Sequence, residues 1–404
     1  MVSGEPLRTG HIPLLAAVAL VGLNLRPFIT GIGPLASDIS AQTGLDLKGI
    51  SLLTLVPMLL MGVFAFAGPF LQARIGARRL VVASLAVLVL GSLLRLFAAN
   101  GWQMVGTAAL LGLGVAVIQA VFPGIVKKQF PGHVGLVMGL YSATLMGGGA
   151  LGAQAAPLIA AAGGGWRAGL AWMAVPAALA LWLAARSLPR DSVARQGGVS
   201  AIAMLRRPRV WLLMACFGLV NGGYATVVAW LAPFYQDHGW IVAASQALAA
   251  LFLPMLARSR DLRPWLWLTL AMQAAGFAAL AFRPEVAPLP SAMLLGAGLG
   301  GCFALSMIVA LDHLPDPAAA GTLSALMQGG GFLMTALPPW VVAALHDLNG
   351  SFVAGWILHL VSVGVVAVLY WRVTPASYAG AMGVPVPNVD GERPPGQAAA
   401  GNAR

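Results

Sequence analysis

Hydrophobic positions gather into twelve runs along this chain, at roughly 13–37, 48–71, 80–98, 102–125, 134–161, 166–185, 209–235, 240–257, 264–282, 288–311, 321–345 and 351–371. Most approach or exceed the roughly 20 residues that a helix rising about 1.5 Å per residue needs to cross a bilayer. The pattern predicts an all-α membrane protein with twelve transmembrane helices. The connections carry the basic residues, and their placement predicts an orientation. With the N-terminus inside, 18 of the 23 Lys and Arg fall on the cytoplasmic side, and only Lys48, Arg167 and Arg283 fall outside. That asymmetry puts both termini in the cytoplasm. One cytoplasmic loop departs from it: Asp312 to Ala320 has no Lys or Arg and carries Asp312 and Asp316.

Composition agrees. Hydrophobic residues make up 59% of the 404 and charged residues only 9%, against about 25% in soluble domains, which leaves no room for a large soluble domain. The net charge of +11 follows the membrane rule and is not a nucleic-acid signal. The first run is too long for a cleavable signal peptide and carries an arginine at its centre. Cys216 and Cys302 lie in separate apolar runs without ligand spacing, as buried structural thiols do.

The halves repeat. At an offset of 182, Gly139, Ser142, Ala143, Gly147-Gly148-Gly149, Leu151 and Pro157 recur as Gly321, Ser324, Ala325, Gly329-Gly330-Gly331, Leu333 and Pro339. At 184, Leu110-Leu111-Gly112-x-Gly114 recurs as Leu294-Leu295-Gly296-x-Gly298, and Arg74 and Arg79 pair with Arg258 and Arg263. Two parallel six-helix repeats predict a rocking transporter with its substrate site between them. The expected organisation is a bundle at 1–185, a basic linker at 186–208, a second bundle at 209–371 and an unfolded tail at 372–404. Pro34 aligns with Pro233 at 199, so the second repeat lacks about 15 residues near segment 8, which is expected to be short.

Arg26 stands near the middle of the first run, and no run offers a carboxylate at comparable depth. A guanidinium there costs roughly 2.5 kcal/mol or more and stays protonated. A small anionic substrate is the expected partner; the alternative is a bond to backbone carbonyls freed at Pro27. Gly22, Arg26, Thr30 and Gly33 share one face of an unbroken helix. Weaker polar stripes put Gln119, Asn221, Tyr224 and Gln328 on other helices, as ligand contacts or as interhelical hydrogen bonds. The glycine triplets suit close packing. Arg95, late in segment 3, is expected to snorkel to the interface, and His359 to be a neutral packed histidine; both are secondary candidates. No metal or cofactor motif is present, no nucleophile elbow suggests an enzyme, and a proton relay of embedded carboxylates is missing.

These residues assemble motifs that resemble the major facilitator superfamily and, within it, the cyanate and 2-nitroimidazole transporters. The motifs are Asn24-Leu25-Arg26-Pro27, Leu94-Arg95, Gly112-x-Gly114-Val115-Ala116 through Pro123 to Val126-Lys127-Lys128, Phe130-Pro131, Met138-Gly139-Leu140-Tyr141 and Ala229-Trp230-Leu231. They span about residues 14–372 and add Asn24 and Tyr141 to the substrate-binding candidates. The loop Pro69 to Arg79 is similar to the superfamily's conformational loop in Arg74, Gly76, Arg78 and Arg79, but Ala73 stands where many members have Asp, and Gln119 where relatives often have Asn. The resemblance implies a monomeric inner-membrane carrier of bacterial type, with Arg95 and His359 peripheral to the cavity. The expected activity is secondary transport of a small anion by alternating access. An exporter of nitroimidazole-like compounds and a transport-impaired homologue are the alternatives.

Overall fold

The computed structural model describes residues 11–189, 201–237 and 261–383. The first crossing is a broken rod made of α1 (Ile12–Leu23), α2 (Pro27–Thr30) and α3 (Ala36–Thr43). It is followed by α4 (Leu47–Ile75), α5 (Ala77–Leu94), α6 (Gly101–Gln129), α7 (Val134–Ile159), α8 (Gly165–Ala171) and α9 (Ala174–Ser187). A short α10 (Ala201–Leu205) precedes the second repeat: α11 (Pro208–Asp237), α12 (Arg263–Phe282), α13 (Pro288–Asp312), α14 (Pro317–Thr335), α15 (Leu337–Asn349) and α16 (Val353–Trp371). Ten helical stretches among the described residues are long and apolar enough to cross a membrane, and Ala174–Ser187 adds a shorter apolar helix. The predicted segment 240–257, and with it the expected shortening, lies outside the described residues.

Local chemistry sets several boundaries. Asp46, Asn100 and Asp316 cap α4, α6 and α14 by accepting from the amides of Gly49, Gln103 and Ala319, which supplies one otherwise unpaired helix-start donor each. Gly76 turns the chain from α4 into α5 at φ 88°, a conformation that glycine adopts without a Cβ clash. Pro27 has no amide hydrogen to continue α1, and the helix stops at Leu23 before restarting at Pro27.

Packing repeats as the sequence does. The contact of α1 with α7 recurs as α11 with α14, α5 with α6 as α12 with α13, and α5 with α9 as α12 with α16. The duplicated glycines carry part of this. A Cβ on Gly114 would stand 3.0 Å from the Ser84 carbonyl oxygen, and one on Gly298 would stand 2.6 Å from that of Thr269. In each repeat the glycine therefore lets two backbones approach to a distance that a side chain would forbid. The repeats meet through α4 and α6 against α14 and through α7 against α13. Cys216 and Cys302 are buried free thiols.

The tail differs from its expectation. Past Arg372 the chain forms a turn at Pro375–Ser377 and a short helix, α17 (Tyr378–Met382), with Tyr378 and Met382 buried. Two apolar side chains, together with hydrogen bonds from Arg209 to the Arg372 carbonyl and Ser377 Oγ, fasten it to the bundle. The Pro- and Gly-rich remainder lies outside the described residues.

Candidate functional site between the repeats

The break in the first crossing is seated on α7. A Cβ on Gly148 would collide with the Leu23 carbonyl, and one on Gly152 would stand 2.5 Å from Pro27 Cα. Two glycines one turn apart thus make the groove that receives the Leu23–Pro27 break. Thr30 donates to the Gly149 carbonyl at 2.6 Å and fixes the short α2. Arg26, the residue before α2, is only 2% exposed. Its guanidinium carbon lies 5.0 Å from the ring centre of Tyr224, 5.8 Å from Phe332 and 6.0 Å from Phe303. All three rings belong to the second repeat, so the arginine reaches across the interface between the repeats. Its Nε and Nη2 are buried and have no hydrogen-bond partner among the described residues. No Asp or Glu among the residues of described burial is buried.

Other buried polar atoms also lack hydrogen-bond partners among the described residues. Tyr141 is buried on α7, stacks on Phe122 at 5.3 Å, and leaves its hydroxyl unpaired. Gln119 is buried with both amide atoms unpaired. Gln328 donates to the Gln119 backbone carbonyl at 3.0 Å across the repeat interface, and its Oε1 is unpaired. Of these, Tyr141 lies within electrostatic reach of Arg26, and Gln119 and Gln328 meet across the repeat interface.

Residues 15–282 match the Major Facilitator Superfamily. The chain belongs to this superfamily. It is 36% identical to the cyanate transport protein CynX of Escherichia coli (strain K12) over 376 residues, covering 90% of this chain and 98% of that one. It is 26% identical to the 2-nitroimidazole transporter of the same organism, covering 89% and 93%. The fold superposes on the solved proton:xylose symporter XylE of the superfamily with a TM-score of 0.75 at 13% identity, covering 89% of this chain and 95% of that one.

Several sequence candidates lie elsewhere or act otherwise in this major facilitator fold. Asn24 turns away toward α9, donating to Leu20 O at 2.7 Å and to Pro176 O at 3.2 Å. Asn221 donates to Phe217 O within its own helix at 2.8 Å. Gly33 is exposed, and the expected four-residue face is interrupted because the first crossing breaks at residues 24–26. Arg95 does not snorkel: it is fully buried. A 3-10 turn at Arg95–Phe97 swings it inward, where Nη1 donates to the Phe28 carbonyl at 3.1 Å. That carbonyl is available because the Ile32 amide bonds back to Ile29. His359 bonds Thr226 Oγ1 at 2.8 Å and stacks on Phe277 at 5.2 Å, tying α16 to α11 and α12.

The loop residues divide their work. Arg78 donates to the Ala185 carbonyl at the end of α9, Arg74 lies over the Phe70 ring at 4.4 Å, and Arg79 is exposed. Lys127 stands in the resembling motif after Pro123, but nothing in the sequence assigns it a partner. In the structure it crosses to the other repeat and donates to the carbonyls of Leu311 and Leu314, the latter at 2.6 Å, at the end of α13. Asp312 and Asp316 lie within its electrostatic reach. The acidic loop without a cation of its own thus receives one from the opposite repeat. Beside it Gly124 and Gly321 touch backbone to backbone, since a Cβ on either would stand 3.0–3.2 Å from the other's Cα. Phe303 and Phe332 were not legible as site residues, because a phenylalanine in an apolar run gives the same signal whether it lines a core or a site.

Proposed function

We propose that this chain is a secondary transporter of a small anion, with Arg26 as the charge anchor and alternating access between the two repeats as the mechanism. The observation that carries this is the pair of unpartnered donors on a buried, uncompensated guanidinium at the repeat interface. A permanently charged fork with free N–H groups suits a carboxylate-like or linear anion, which supplies both countercharge and acceptors. The Tyr141 hydroxyl and the Gln119 amide add neutral donors that orient such a ligand, Gln328 braces Gln119 from the other repeat, and Thr30 holds the short helix that aims Arg26. The similarity to a cyanate transport protein over nine-tenths of the chain supports a cyanate-sized substrate. The Lys127 contact closes one end of the interface, and the charge asymmetry supports that end being cytoplasmic in a bacterial-type inner membrane.

The test is counterflow in proteoliposomes with labelled cyanate, formate and 2-nitroimidazole, with and without a pH gradient. Saturable exchange of cyanate or formate is expected. Exchange of 2-nitroimidazole alone would replace the anion reading with that of a neutral-compound exporter.

A further inference from the structure

We infer that Phe303 and Phe332, with Tyr224, set an upper size limit on the anion that Arg26 accepts; the inference rests on Arg26 being the anchor. The three rings lie 5.0–6.0 Å from the guanidinium carbon. An aromatic face stabilises a guanidinium through its quadrupole, yet it offers no lone pair in line with the N–H bonds. The rings therefore hold the cation while leaving Nε and Nη2 to an acceptor from outside, as found. Acceptor atoms must approach in the plane of the fork, between walls made by the rings.

Those walls cannot easily move. Phe303 and Phe332 are each 1% exposed. Both pack on Phe217, at 5.5 Å tilted and 5.4 Å edge-to-face. Phe217 is itself pressed against α14 where Gly331 lacks a side chain, since a Cβ there would collide with the ring. Displacing either wall means moving this cluster, and α11 or α14 with it. Close-packed interiors resist such changes, so a ligand must be compact to fit. A linear or small planar anion meets the fork, whereas a carboxylate bearing a bulky substituent meets a ring.

The experiment is competition against labelled cyanate counterflow in proteoliposomes by formate, acetate, propionate and benzoate. The full-length wild type is compared with Phe303→Ala, Phe332→Ala, Phe303→Leu and Phe332→Leu. In the wild type, inhibition should fall steeply from formate to benzoate. In at least one alanine variant, the benzoate-to-formate ratio of inhibition constants should drop by roughly tenfold or more, with the leucine variants, which keep most of the core filled, shifting the same way by a smaller factor. An unchanged ranking in variants that still exchange cyanate overturns the size limit while leaving the anchor standing. Wild-type counterflow indifferent to every anion overturns the anchor and the size limit together. Should the alanine variants fail to fold, an unchanged ranking in both leucine variants also overturns the size limit.

Discussion

Arg26 and Arg95 are both buried with Nε and Nη2 unpaired among the described residues, but their other contacts lead to different expectations. Arg95 Nη1 serves the first repeat by bonding the Phe28 carbonyl. Losing it leaves a buried carbonyl unpaired, at a cost of roughly 1–3 kcal/mol. Arg95→Ala is therefore expected to lower the thermal unfolding midpoint in detergent and to weaken transport indirectly, through the Phe28 backbone two residues from Arg26; an unchanged midpoint would contradict that role. Sequence position alone singled out Arg26 as a candidate, because a central arginine without a carboxylate has few physical explanations. The same logic failed for Arg95, since distance along the chain from the outer loop said nothing of a turn that folds the side chain inward. Phe303 and Phe332 were illegible because the relevant property, which neighbour a ring faces, is set by tertiary packing.

Glycines show how much of an element can be read in advance. The triplets were visible as close-packing surfaces, but which member mattered was not. A Cβ on Gly148 would collide with the Leu23 carbonyl, whereas at Gly147 nothing stands within 4 Å. Gly148→Val is accordingly expected to abolish transport and reduce the yield of monodisperse protein, while Gly147→Ala leaves both near wild type. Equal tolerance at the two positions would refute the seating of the helix break on α7. The tail helix α17 supplies an element-scale pH dependence. Its Tyr378 ring stacks on His313 at 3.9 Å, and burial first, with Arg209 and Lys127 nearby, pushes the His313 imidazole down to about 4 from 6.5. A histidine lowered on folding binds fewer protons than in the unfolded chain, so its contribution to stability is complete above about 6.5 and is lost as pH falls toward about 4. Hydrogen-exchange protection of residues 374–382 is expected to decrease between pH 7 and pH 5 in the wild type. A His313→Phe protein should show a smaller decrease; equal decreases would remove His313 as the cause. Sequence composition pointed to an unfolded tail because two apolar side chains, Tyr378 and Met382, are too few to register as a helix until a docking surface is known.

At the scale of the whole molecule, the two-repeat architecture was the most legible feature, since duplicated motifs and span lengths are both written along the chain. The way the repeats touch was not. Lys127 is a motif residue without a partner until α13 places the Leu311 and Leu314 carbonyls around its ammonium group. Lys127→Met keeps the stem and removes the donor, and is expected to loosen this end of the interface. A cysteine introduced at Thr322, in the cleft of about 80 Å³ beside the Gly124–Gly321 contact, should then react several-fold faster with a membrane-impermeant maleimide applied from that side. Equal labelling rates with and without Lys127 would mean that the contact does not hold the repeats together.

The account depends most on Arg26 as the ligand for an anion, and equilibrium binding to purified protein tests that most directly. Cyanate affinity is to be measured in detergent for the wild type, Arg26→Ala and Arg26→Lys, each confirmed folded by its elution profile. Loss of measurable binding in Arg26→Ala is expected, with little recovery in Arg26→Lys, because lysine keeps the charge but lacks the planar fork. Wild-type affinity in folded Arg26→Ala would contradict the central claim and leave the arginine a structural group held by Tyr224, Phe303 and Phe332.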